Sequence, residues 1–318
     1  MSPFACTNDR NTAIVTGATS FIGIALIKQL VKNGYEVTAI IRAKSCRLDL
    51  LYKECPNIHA IECDISNLKH LSTIVSVKQN TVNYDEFYHI GWSSDFDNPR
   101  YNLEGQMKNV DYTIAAMRAA KKLGCKKFLA VGSQAECGLV DAPINSKTPD
   151  NPITAYAKAK CETFRQCCKL SDELGISFYW PRLLSAYGLY DRSHTLIMSC
   201  VDACIKHKQI PLSKAEQIWD FVYVDDVAKA LKLIVEKGEP KKKYSIASGV
   251  GRPLREYIQN IADVYGYPEL MNGIGERPYS ENEVMYLVGD VSEIHKDTGM
   301  CFDSDFKKHI AKMKEDIS

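Results

Sequence analysis

Tyr156 and Lys160 stand four apart in Y-A-K-A-K, and Ser133 ends an apolar run in A-V-G-S-Q further upstream. On a helix that spacing puts the phenol and the ammonium on one face. A free phenol, with a pKa near about 10, is a poor acid or base at neutrality. A neighbouring ammonium favours the phenolate and brings the group toward working pH. With the serine hydroxyl on the same substrate oxygen, the three groups can protonate a carbonyl while hydride arrives from elsewhere. The Y-x-x-x-K spacing is common by itself and gains its weight from Ser133.

A hydride source is suggested near the start of the chain. Thr16 to Gly23 reads T-G-A-T-S-F-I-G; it closes an apolar strand, Ala13 to Val15, and opens a helix at Phe21. Backbone N–H groups at such a helix start can face a pyrophosphate, and an oxidised nicotinamide beside Tyr156 also favours the phenolate. Gly17 permits the tight turn and Gly23 permits close helix-to-strand contact. Ser20 stands where a third glycine is usual and is small enough to leave room. Arg42 ends the second strand in A-I-I-R-A-K-S-C-R, with Lys44 and Arg47 nearby and no acid before Asp49. A guanidinium there pairs with the 2′-phosphate of NADP, whereas an acid would accept from the 2′-hydroxyl of NAD. NADP(H) is therefore favoured, with NAD the alternative; the plain reading of Arg42 is a solvated loop arginine. Asp64 in E-C-D-I-S is either an acceptor for the adenine amino group or the cap of the next helix.

The elements that must position these residues alternate. Strand-like runs cover Thr12 to Val15, Glu36 to Ile41, Ile58 to Cys63, Glu86 to Ile90, Lys127 to Val131 and Ser177 to Trp180. Helical patterns cover Phe21 to Lys32, Asn67 to Val77, Leu103 to Lys122 and Ala155 to Leu174. That rhythm predicts an α/β fold, a doubly wound parallel Rossmann sheet with helices on both faces. Gly34, Gly124 and Gly175 follow helical runs, where a left-handed C-cap suits glycine. Beyond Pro181 the pattern loosens into a helix around Thr195 to Lys206. A strand capped by Asp225 or Asp226, a helix and a strand at Tyr244 to Ala247 then return to the first domain. Helices at Pro253 to Tyr265 and Phe306 to Met313 complete a smaller lobe. The division is 10–182 with 217–249 for the dinucleotide domain, and 183–216 with 250–318 for a C-terminal α/β substrate lobe.

Composition excludes several classes. Lysine plus arginine number 40 against 39 acids, so no charge excess recruits nucleic acid or an anionic membrane. No apolar run approaches the roughly 20 residues that span a bilayer, and Met1 to Arg10 lacks a secretory core. The expectation is a cytoplasmic protein. Twelve scattered cysteines lack zinc spacing and read as reduced thiols, with no metal.

On these residues the chain resembles the extended short-chain dehydrogenase/reductases of the nucleotide-sugar epimerase/dehydratase family. The match includes the glycine loop, Asp64, H-I-G-W at His89 to Trp92, N-V-D-Y-T from Asn109, the Ser133, Tyr156 and Lys160 set, P-R-L-L-S-A-Y-G from Pro181 and D-F-V-Y-V-D-D from Asp220. The resemblance implies that Tyr156 is the general acid or base and that Lys160 also holds the nicotinamide ribose. It implies that Ser133 polarises the carbonyl and that Asn109 steadies the active-site helix and a proton relay. It places the dinucleotide along Gly17, Ser20, Phe21, Ile22, Gly23, Arg42, Asp64, Ile65, Ile90, Gly91, Trp92 and Pro181, reaching Tyr156 and Lys160. A homodimer through the helices at Leu103 to Lys122 and Ala155 to Leu174 is also implied.

The departures from the family are informative. Gln134 and Ala135 stand where 4,6-dehydratases carry an Asp-Glu pair, which argues against water elimination. Ser185 and Trp219 stand where an asparagine and an arginine commonly hold the substrate diphosphate. Arg277 in E-R-P-Y survives at a clamp position, and Arg192 or Lys214 are further donors; Trp219 is either core or a substrate contact. The substrate residues expected are Ser133, Gln134, Ser185, Arg192, Trp219 and Arg277. The first reading is NADPH-dependent reduction of a nucleotide-linked 4-keto-deoxysugar. The alternatives are a 4-epimerase with tightly held NAD, a reductase of a small non-nucleotide carbonyl, and a dinucleotide-sensing protein without turnover.

Overall fold

Along β1 (Thr12–Thr16), Ala13 and Val15 point into one apolar core and Ile14 into another, because a strand presents alternate side chains to opposite faces. The same alternation runs through β2 (Glu36–Ile41), β4 (Glu86–His89), β5 (Lys127–Ala130) and β7 (Ser177–Tyr179). A sheet buried on both faces must be covered by helices on both. The computed structural model describes residues 11–79, 83–281 and 283–317. Residues 1–10, which include Cys6 of the twelve cysteines and the stretch without a secretory core, lie outside the described residues.

With β3 (His59–Glu62), the main sheet has six parallel strands in the order β3-β2-β1-β4-β5-β7. One face carries α1 (Phe21–Lys32) packed on α7 (Val224–Lys237); the other carries α3 (Leu71–Gln79), α4 (Leu103–Lys122) and α5 (Ala155–Leu174). Strand order reverses between β1 and β4, and ligands of such sheets bind in the crevice at that point.

Short strands continue the carboxyl edge. β6 (Gly132–Ser133) follows β5, β8 (Arg182–Leu183) follows β7, and with β12 (Ser245–Ile246) they make a small parallel sheet. β9 (Ser185–Tyr187) pairs β11 (Phe221–Tyr223); β10 (Ile218–Trp219) lies between β13 (Arg252–Pro253) and β14 (Tyr286–Leu287). Buried Asp220, between β10 and β11, accepts from the backbone of Ser248, Gly249 and Gly289 and joins these segments. α6 (Leu196–Ile205), α8 (Leu254–Tyr265) and α10 (Phe306–Ile317) pack around the latter half.

Several local expectations need correction. α2 (Leu48–Glu54) and α9 (Ser292–Thr298) are one to two turns long, too short for a periodic signal. The run expected as one helix from Asn67 divides into a 3-10 turn, Ile65–His70, and α3. Neither Asp225 nor Asp226 caps α7: the cap position is Tyr223, and both acids sit in the first turn. There the helix dipole favours them, while Asp225 pairs with Lys312 at 2.9 Å and Asp226 accepts from the Asp303 N–H at 2.7 Å. The eleven described cysteines carry no disulfide, and burial pushes thiols such as Cys161 and Cys200 up to about 12.

Candidate active site

Gly17 follows β1 with a φ of +68°, and a Cβ there would lie 2.7 Å from the Gly91 nitrogen, at the end of the neighbouring β4. At Gly23 a Cβ would meet the Gly17 carbonyl oxygen at 2.2 Å. Only glycine lets the three backbones approach this closely. Ser20 has a more definite place than a tolerated small residue. It is the N-cap of α1, accepting from the Gly23 N–H at 3.0 Å and donating to the Gly17 carbonyl at 2.8 Å. Phe21 and Ile22 open the helix beside this turn, and Ile65 packs within reach of Gly91.

A cavity of about 600 Å³ lies at the ends of β2 and β3, lined by Arg42, Lys44, Cys63, Asp64 and Asn67 among others. Asp64 caps the 3-10 turn, accepting from the Ser66 N–H and hydroxyl at 2.9 and 2.6 Å. Those bonds hold its carboxyl below the usual range. Arg42 is exposed and pairs with Asp95, on the loop after β4, at 2.6 Å. The glycine cradle, the helix start and this cavity leave room for an extended dinucleotide, whose phosphates Gly17, Phe21 and Ile22 could hold and whose adenosine end Arg42 and Asp64 could hold.

Ser133, Tyr156 and Lys160 come together at the carboxyl edge of the sheet. Tyr156 opens α5, and its backbone N–H donates to the Arg100 carbonyl at 3.2 Å. Burial pushes the phenol above its ordinary value, while the bond to the Ser133 hydroxyl and the charges of Arg192 and Arg100 pull it back. Lys160 is buried, donates to the Val131 carbonyl at 2.7 Å, and holds its ammonium 3.5 Å from the centre of the Trp92 ring. Desolvation brings it down to about 7, opposed by the Glu136 charge. The Pro181 carbonyl accepts from the Gly132 N–H at 2.7 Å, where β6 begins to pair with β8.

Asn109, on α4, accepts from the Ser93 N–H at 2.7 Å and donates to the Ser93 carbonyl at 3.0 Å. Its amide thus holds the loop carrying Ile90, Gly91 and Trp92. Gln134 is half-buried after Ser133. The Trp219 indole N–H donates to the Ser185 hydroxyl at 2.7 Å, so these two candidates bond each other. Arg192 is exposed and acts electrostatically on Tyr156; Arg277 lies on an exposed stretch, where its charge acts on Glu283.

Sequence reasoning passed over Glu136. This wholly buried carboxylate accepts from the Ser133 N–H at 2.7 Å, the Trp180 indole at 3.1 Å and Arg182 Nε at 3.2 Å. Arg182, itself buried, also pairs with Asp150, which takes Lys243 at 2.7 Å. The signal was present as a capping box, S-x-x-E from Ser133 to Glu136. Donor atoms of Glu136, Asp150 and Cys161 lie within 4.8 Å of one another, but Arg182 and Lys243 already supply the cations there.

The model of the NAD dependent epimerase/dehydratase family matches residues 13–247. The dTDP-6-deoxy-L-talose 4-dehydrogenase (NAD(+)) of Aggregatibacter actinomycetemcomitans is 25% identical over 258 residues, covering 78% of this chain and 88% of its own. Among solved structures, the UDP-glucose 4-epimerase of Thermotoga maritima with UDP-glucose superposes with a TM-score of 0.84 at 19% identity, over 96% of this chain and 97% of that one. RMD from Pseudomonas aeruginosa complexed with NADPH gives 0.80 at 19% identity, over 96% and 98%. With a family match spanning most of its length and a Rossmann fold in common with these neighbours, the chain belongs to the NAD-dependent epimerase/dehydratase family.

Proposed function

We propose that the protein is an NADPH-dependent reductase of a nucleotide-linked 4-keto-deoxysugar, bound between the Rossmann domain and a lobe formed by 183–216 and 250–318. The observation that carries this reading is the meeting of Ser133, Tyr156 and Lys160 at the switch-point edge of the sheet, beside the Gly17 turn. A nicotinamide dinucleotide bound there supplies hydride. Tyr156 hands its phenolic proton to the carbonyl oxygen, and the Ser133 hydroxyl donates a hydrogen bond to that oxygen. The Lys160 charge favours the phenolate left behind. Arg42 supports the 2′-phosphorylated cofactor.

Water elimination is disfavoured on this reading. Gln134 and Ala135 carry no acid, and the nearby Glu136 is already engaged by Ser133, Trp180 and Arg182. A 4-epimerase with tightly held NAD is the second reading, favoured by the Asp95 carboxylate that already occupies Arg42. The deciding experiment denatures the purified protein, identifies any dinucleotide released, and titrates untreated protein with NADPH and NADH. Empty protein, or exchangeable NADP with NADPH preferred, is expected; stoichiometric, non-exchanging NAD overturns the reductase in favour of the epimerase. Tyr156→Phe is expected to keep cofactor binding and lose turnover, which separates an enzyme from a dinucleotide sensor.

A further inference from the structure

We propose that Trp92 is the positioning residue that holds Lys160 charged and in register with Tyr156. The inference rests on Tyr156 and Lys160 being the reactive pair, and it concerns how that pair is kept working. Lys160 has four rotatable side-chain bonds, so its spacing from Tyr156 on α5 does not by itself fix the ammonium. Trp92 contacts both partners. Its ring face lies 3.5 Å from Lys160 Nζ, and its plane meets the Tyr156 ring edge-on, at 86° with centroids 5.9 Å apart.

The indole is itself restrained. Its N–H donates to Gln106 Oε1 at 2.8 Å, and the Gln106 amide donates to the Pro99 carbonyl at 2.6 Å. Gln106 is 2% exposed, so this anchor is rigid. Lys160 is only 5% exposed, and water cannot solvate its charge fully. The negative face of an aromatic ring attracts an ammonium and not a neutral amine, and the attraction grows when water is excluded. The other groups acting on Lys160 are the Val131 carbonyl, the Trp180 ring at 5.7 Å, Glu136 from the turn after β6, and His89 from β4. His89 is neutral, because burial pushes it down to about 3. Glu136 is the carboxylate among them, and it is shared with Arg182.

The test follows the Lys160 titration by NMR of lysine labelled with ¹³C at Cε, in the intact protein and in Trp92→Leu, Trp92→Phe and Gln106→Leu. Leucine keeps the apolar cover and removes the ring face, so the Lys160 midpoint falls by about one pH unit or more. Phenylalanine restores part of the shift, and Gln106→Leu, which frees the indole, gives an intermediate fall. In a carbonyl-reduction assay the alkaline limb of kcat moves down by the same amount. An unchanged Lys160 midpoint in folded Trp92→Leu overturns the proposal. If that variant does not fold, unchanged midpoints in Trp92→Phe and Gln106→Leu overturn it equally. If the protein reduces no carbonyl, the reductase reading fails and the NMR titration still decides the role of Trp92.

Discussion

The indole nitrogen of Trp219 and the hydroxyl of Ser185 lie 2.7 Å apart, bonding between β10 and β9 at the two positions where the family resemblance implies substrate-diphosphate contacts. Neither side chain offers a cation. Trp219→Arg adds one, and is expected to tighten binding of a nucleoside diphosphate roughly tenfold, about 1.4 kcal/mol. Calorimetric titration with UDP and dTDP against both proteins measures this. Micromolar binding to the unaltered protein with no gain in the variant would show that the diphosphate is held elsewhere.

Arg42 directly follows β2 and Asp95 lies on the loop after β4, on either side of β1, so their ion pair reaches across the crevice at the switch point of the sheet. A 2′-phosphate must compete with Asp95 for the guanidinium. Asp95→Asn is expected to strengthen NADPH binding three- to tenfold, roughly 0.6–1.4 kcal/mol, and to leave NADH unchanged. Arg42→Ala is expected to erase the preference. Fluorescence titration with both nucleotides at low and high salt checks it, since an exposed pair is weakened by screening.

Glu136 and Arg182 form a buried ion pair behind the Ser133 loop. Glu136→Ala leaves Arg182 only Asp150, which Lys243 shares, and strips the acceptor from the Ser133 N–H and the Trp180 indole, so it is expected to cost about 3–5 kcal/mol in urea unfolding. Glu136→Gln keeps the shape and costs less. Both variants also withdraw the negative charge that supports the Lys160 ammonium. A fall in the alkaline limb of activity in the glutamine variant, at retained secondary structure, is the expected signature.

His89 sits between Thr16 Oγ1, 2.8 Å from Nδ1, and Thr113 Oγ1, 3.2 Å from Nε2, and is 2% exposed. Burial pushes its pKa from 6.5 to about 3. Below pH 6.5 the unfolded chain takes up a proton that the folded one refuses, so stability falls as pH drops toward 3. The loss attributable to this group is on the order of 3–5 kcal/mol across that window. Comparing His89→Asn with the unaltered protein by thermal unfolding from pH 7 down to pH 4 should show a shallower decline in the variant. Parallel curves would mean that other groups set the acid limit.

The glycine turn, the main strands and long helices, and the Ser133, Tyr156 and Lys160 set were legible in the sequence. The strands, helices, glycine turn and the Tyr156–Lys160 pair depend on local rules: two-residue and 3.6-residue periodicity, glycine at positive φ, and side chains four apart on one helix; Ser133 joined them through the family resemblance. α2 and α9 were not legible because seven residues hold too little periodicity to separate from loop.

The sequence by itself thus determined the fold class and which residues could share a proton-transfer site. Only the tertiary structure decided what each of those residues touches. Arg42 meets Asp95 across 53 positions, Arg182 meets Glu136 across 46, and Trp219 meets Ser185 across 34. Trp92 reaches Lys160 only because β4 lies beside β5, whose end carries the Val131 carbonyl that holds the same ammonium. Such partners follow from strand order and loop path. These depend on burying both faces of the sheet at once, a condition that no local stretch of the chain contains.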